Sequence, residues 1–121
     1  MADNRGAAGP DRLTITRASV DGVGVVTVRG EIDHHTGDPL RTALALPGGG
    51  PAPRIVVDLS GVTFMDSSGI NILVAAHNAA RDAHGWLRLA APTDSVLRTL
   101  RIVGVDAVID CYPTLRQALD T

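Results

Sequence analysis

Residues 54–74 read RIVVDLSGVTFMDSSGINILV, and two periodicities meet inside them. Ile55, Val56, Val57 and Leu59 form an apolar run interrupted only by Asp58, the composition of a strand buried on both faces in the centre of a sheet. Past Gly69 the spacing changes: Ile70, Leu73, Val74, His77 and Ala80 mark one face of a helix, while Asn71, Asn78, Arg81 and Asp82 fall mostly elsewhere. Gly85 stands where a C-terminal cap belongs. Between the two patterns lies Asp66-Ser67-Ser68-Gly69, a short polar turn leading from a buried strand directly into an amphipathic helix.

The flanking sequence repeats that alternation. Upstream, Leu13, Ile15 and Arg17 sketch one strand and Val23, Val25, Val26 and Val28 a second, with Asp21-Gly22 as the turn of a β-hairpin. In EIDHHTGDPL, residues 31–40, Asp38 followed by Pro39 has the character of a helix N-cap and first helical residue, and Leu40, Ala43 and Leu44 carry that helix to about Leu46. The segment PGGGPAP, residues 47–53, can continue neither helix nor strand and reads as a loop. Downstream, WLRLA is a strand, Thr93 or Asp94 caps a helix bearing Val96, Leu97 and Leu100, DAVIDC supplies a last strand, and Pro113, Leu115, Ala118 and Leu119 close the chain as a helix. The order ββαβαβαβα predicts a single α/β domain over residues 13–121, with about four helices and a mixed sheet whose later strands run parallel. Residues 1–12, polar and without periodicity, read as a flexible tail.

Composition narrows the function classes. A net charge of -2 supplies no global basic surface for nucleic acid. Cys111 is the sole cysteine, so no intrachain disulfide forms, and neither a signal peptide nor a membrane-spanning run is present; the cytoplasm is the expected home. With one Trp, one Tyr and one Phe, the core must be built from Val, Ile, Leu and Ala. That every basic side chain is Arg fits codon usage and carries no functional weight.

Asp66 or Ser67 can be an ordinary N-cap, since the first backbone N–H groups of a helix need acceptors. The same place also suits a modified serine: a phosphate carries roughly -1.5 to -2 charge, and a helix N-terminus tolerates an anion best. A nucleophilic serine is less well supported, because no GxSxG elbow is present and no histidine is placed as its base. His77 on the apolar stripe reads as a core residue, and His84 as a solvated one. Asp33, His34 and His35 in GEIDHHTGD are adjacent rather than spaced as metal ligands are, so no metal is expected there. The glycines at 48–50 lack the GK[ST] ending of a phosphate-binding loop.

FMDSSGINILV (64–74) after a hydrophobic strand, together with the upstream GEIDHHT (30–36), resembles the anti-sigma factor antagonists of the STAS family. The resemblance extends over about residues 13–120 and includes the late segment LRTLRIVGVDAVIDCYPTLRQAL. It implies a mixed sheet packed against helices, with the phosphorylatable serine at the position of Ser67 and Ser68 as the neighbouring hydroxyl. Asp66 would orient the loop, and Gly69 would leave room for close approach. The same resemblance places Asp33, His34 and Thr36 on the partner-binding surface with Asp66, Ser67, Ser68, Gly69 and Asn71. Asn71 departs from the small residue, often Gly, usual at that position, which puts the identity of the partner in question more than the switch.

The resemblance further implies a regulatory protein rather than an enzyme. Its unphosphorylated form would bind an anti-sigma factor that is also a serine kinase, releasing a sigma factor. Phosphorylation of Ser67 would switch binding off, and a PP2C-type phosphatase would restore it. ATP and Mg2+ belong to the kinase; no cofactor is implied for this chain, which would be a monomer when free. Two alternatives stand beside this: a STAS module that senses or scaffolds with Ser67 only as a cap, and a nucleotide-binding protein using Ser67, Asp66 and the histidines.

Overall fold

Asp21 and Gly22 both have positive φ, 50° and 82°, as the two central residues of a type I′ hairpin require. Asp tolerates that conformation and Gly adopts it freely, so the pair fixes a register in which Val20 faces Val23 and Leu13 faces Gly30. The strands it joins are β1 (Leu13–Val20) and β2 (Val23–Ile32). The computed structural model describes residues 13–45 and 51–120. The expected tail at 1–12, the end of the first helix at Leu46 and the glycines at 48–50 lie outside the described residues.

After β2 come α1 (Gly37–Leu44), β3 (Arg54–Met65), α2 (Ser67–Asp82), β4 (Trp86–Ala90), α3 (Asp94–Ile102), a 3₁₀ turn (Val105–Ala107), β5 (Cys111–Tyr112) and α4 (Leu115–Leu119). This is the expected ββαβαβαβα order. The strands lie in one sheet in the same order as in the chain; β1 is antiparallel to β2, and β2 to β5 are mutually parallel. Crossovers of one hand between successive neighbours deliver α1, α2 and α3 to the same face. Accordingly Leu40 and Leu44 of α1, Leu73 and Ala80 of α2, and Val96 and Leu100 of α3 share one core with Val57, Leu59 and Leu89 of the strands. The opposite face is left to α4, where Ala118 packs with Val23, Val56 and Ala90 beside Trp86 and Tyr112. Here the Arg88 guanidinium sits 3.8 Å from the centre of the Trp86 ring and donates to the Ala118 carbonyl at 2.9 Å, tying α4 to β4. Covered on both sides, β3 needs apolar residues at consecutive positions, which is why Ile55–Val57 do not alternate.

Three boundaries differ from the sequence expectation. Helix α1 begins two residues before Pro39, with Thr36 rather than Asp38 as N-cap; Pro39 still falls in the first turn, where a missing N–H costs nothing. At the end of α2 it is His84 that takes the left-handed conformation, φ 66°. The Gly85 N–H then donates to Ala80 O at 2.8 Å and the His84 N–H to Arg81 O at 2.9 Å, a Schellman closure with glycine one place later than usual. Glycine is needed at 85 for space, since a Cβ there would lie 1.8 Å from the Pro53 carbonyl oxygen. Finally, most of DAVIDC is not strand. Gly104 turns left-handed, φ 81°, the Val108 and Ile109 N–H groups both donate to Val105 O, and only Cys111–Tyr112 pair with β4.

Candidate functional site

Parallel pairing aligns the C-terminal ends of β2 and β3, with Ile32 opposite Met65. The polar segments that follow, 33–36 and 66–69, therefore leave the sheet side by side, at the end of an α/β sheet where sites are usually built. The Asp66 N–H donates to Ile32 O at 3.1 Å, joining the second segment to the first.

Asp66 is the N-cap of α2. Its Oδ1 accepts from the Ser68 N–H at 2.8 Å and from the Gly69 N–H at 3.4 Å, satisfying donors that the helix itself cannot. Ser67 is the first residue of α2 and is exposed; Ser68 is half-buried, and Asn71, one turn on from Ser67, is exposed. Gly69 faces inward. A Cβ at this position would lie 2.7 Å from both Ile32 Cγ2 and Met65 Cγ, so glycine lets the helix start sit directly on the ends of the two strands.

The 33–36 segment is held by its own hydrogen bonds. Asp33 is buried, and its Oδ1 accepts from the His35 N–H at 2.8 Å and the Thr36 N–H at 3.0 Å. The Thr36 hydroxyl donates to Glu31 O at 2.7 Å and accepts from the Asp33 N–H at 2.9 Å. Four backbone groups are thus satisfied by two side chains, which orders the turn before anything binds to it. His34 and His35 project to solvent with ring centroids 3.9 Å apart.

The structure therefore brings all the sequence-predicted residues to one end of the sheet but gives them different positions. Ser67, His34 and Asn71 face outward; Asp33, Thr36 and Asp66 organise the backbone; Gly69 belongs to the core. His77 is buried with both ring nitrogens unpartnered among the described residues, and His84 is exposed at the far end of α2. Sequence reasoning passed over Phe64. It is 48% exposed, although alternation from buried Val62 would have turned it into the core. Gly30 pairs with Val62 and Glu31 with Phe64, leaving Thr63 as an inserted residue; this bulge puts Met65 in and Phe64 out. The extra residue has no marker in the local sequence.

The STAS domain model matches residues 14–118. The chain belongs to the STAS domain family. The match leaves out only the first residue of β1 and the last of α4, so it reaches every strand and every helix described. The anti-sigma-F factor antagonist RsfB of Mycobacterium tuberculosis is 31% identical to this STAS protein over 110 residues, covering 91% of this chain and 89% of the relative. An anti-sigma-B factor antagonist of Listeria monocytogenes is 29% identical over 85 residues, 70% of this chain and 75% of its own length. The crystal structure of an anti-sigma factor antagonist from Mycobacterium paratuberculosis superimposes with a TM-score of 0.79 at 34% identity, covering 93% of this chain and 96% of that one.

Proposed function

We propose that this STAS domain protein is a cytoplasmic anti-sigma factor antagonist. In this reading its unphosphorylated form binds an anti-sigma factor that is also a serine kinase, phosphorylation of Ser67 releases the kinase, and a phosphatase resets the chain. The names of its relatives support the antagonist role. The observation that carries the switch is the placement of Ser67, exposed on a turn that Asp66 has already capped. Its hydroxyl is accessible to a kinase, and because the cap belongs to Asp66, modification leaves the helix start satisfied. The fold survives while the surface changes.

That change is electrostatic. Asp33 and Asp66 already stand at this end of the sheet, and the phosphate would add a further -1.5 to -2 or so. In solution the α2 N-terminus and water moderate the repulsion. Inside a contact water is excluded, and leaving a charge buried and unpaired costs about 2–5 kcal/mol, enough to lower affinity at least roughly thirtyfold. The test is calorimetric titration of wild type, Ser67→Ala and Ser67→Asp with each anti-sigma factor kinase encoded in the same genome. Ser67→Ala should bind within about threefold of wild type, and Ser67→Asp about tenfold or more weakly, as a single charge at a contact predicts. Equal affinity of Ser67→Asp and wild type would refute the switch.

A further inference from the structure

We infer that Phe64 is an apolar anchor for the kinase partner, held outside the core by the Thr63 bulge so that the contact divides into a hydrophobic part and a charge-gated part. The inference rests on the antagonist reading above. Its starting point is the bulge. At the end of β3, one inserted residue exchanges the faces of Phe64 and Met65, leaving the only phenylalanine of the chain about half exposed. Bulges near sites re-aim side chains in this way, and this chain has few aromatics to spend on solvent.

Topology singles Phe64 out further. The other large apolar side chains exposed among the described residues are Val20, Ile102, Val103 and Val108. Val20 precedes the hairpin turn into β2, and the other three precede β5; all belong to the end of the sheet where the parallel strands begin. Phe64 lies where β3 ends, three residues before Ser67 and in register with Glu31, which leads into the Asp33–Thr36 turn. Phe64 and Ser67 therefore share one end of the sheet, and Phe64 is the one large exposed apolar group at that end among the described residues. A rigid aromatic ring beside a polar rim is the usual composition of a binding hot spot. The occupant it fits is a protein with an apolar pocket next to a surface that accepts Ser67 and rejects a phosphate.

The two parts would behave differently. Phosphorylation alters charge at Ser67 and leaves the ring where it is; truncating the ring removes affinity without adding charge. Phe64→Ala should weaken kinase binding by roughly ten- to a hundredfold, the range of a hot-spot aromatic, and Phe64→Leu should recover part of the loss. The urea midpoints of both variants should stay close to wild type, because the ring is only partly covered. As Phe64 is the sole phenylalanine, incorporation of 4-fluorophenylalanine gives a single 19F resonance, which should move and broaden when kinase is added, and in the Ser67→Asp background should need about tenfold or more kinase to reach the same change. This second readout does not depend on how a truncated variant folds.

Equal kinase affinity for Phe64→Ala and wild type, with Ser67→Asp still weakened, would overturn the anchor and leave the serine switch standing. If no kinase bound wild type or Ser67→Ala, the antagonist reading would fall and the anchor with it. A loss of self-association in Phe64→Ala, seen by sedimentation, with kinase affinity unchanged would reassign the ring to a contact between two copies of this chain.

Discussion

Replacing Gly69 with alanine adds one methyl group at the point where α2 meets the sheet. Two opposing terms set the sign. Alanine in place of glycine favours a helix by up to about 1 kcal/mol, and Gly69 lies in the first turn, where the gain is at its smallest. Against this, the new Cβ would stand 2.7 Å from Ile32 Cγ2 and Met65 Cγ. Neither neighbour can swing into solvent, since Ile32 is fully buried and Met65 is 4% exposed. Overpacking of this kind costs about 1–3 kcal/mol, so the net expectation is a loss of about 1–2 kcal/mol and a fall in Tm of roughly 3–8 °C for a domain of this size. Urea unfolding followed by far-UV circular dichroism measures it, with the slope m unchanged. Relief of the clash would push the start of α2 away from Ile32, so the Asp66 N–H to Ile32 O hydrogen bond should also lose protection in hydrogen exchange. An alanine variant as stable as wild type, or more so, would refute the claim that Gly69 is there for packing.

Asp66→Ala should cost about 1 kcal/mol through loss of the N-cap, with Asp66→Asn close to wild type; equal stability of all three by chemical denaturation would show that the cap contributes nothing. His77→Leu should leave stability unchanged or raise it by about 1 kcal/mol, because it removes two buried ring nitrogens without partners; a thermal scan showing a large loss would mean that the imidazole is held by a hydrogen bond. Cys111 has its pKa pushed up, first by burial and then by Asp106, with Arg101 opposing. A raised pKa keeps the folded thiol protonated at pH values where the unfolded one ionises, so iodoacetamide should alkylate the native chain more slowly than the urea-unfolded chain near pH 8.5, and stability should decline as pH rises from the ordinary thiol value towards the raised one. Equal alkylation rates in the two states would contradict the burial.

The parts of the fold readable in the sequence are those fixed by local chemistry. Asp21-Gly22 demanded a tight hairpin, the Ile55–Val57 run demanded a strand covered on both faces, and the change of period after Gly69 demanded a helix. The errors came where a residue answers to distant neighbours. Val108 and Ile109 have strand-forming side chains, yet the left-handed Gly104 and the hydrogen bonds to Val105 O wind them into a turn. Asp38-Pro39 has the chemistry of a helix start, but the Thr36 hydroxyl, bonded to Glu31 O, closes the preceding turn and starts the helix earlier. In the site, Asp66 and Ser67 were legible because capping is a local requirement. The inward role of Gly69 and the outward aim of Phe64 were not, since one depends on the side chains of Ile32 and Met65 and the other on a bulge defined only by pairing with β2.

The switch itself is tested most directly by incubating the protein with a kinase that binds it, ATP and Mg2+, locating the phosphate by peptide mass mapping, and measuring the affinity of the purified phosphorylated form. One phosphate on Ser67, an unchanged circular dichroism spectrum, and kinase binding weakened by roughly thirtyfold or more are expected. A phosphorylated form that binds as tightly as the unmodified chain, or a phosphate that maps elsewhere with Ser67 unmodified, would contradict it.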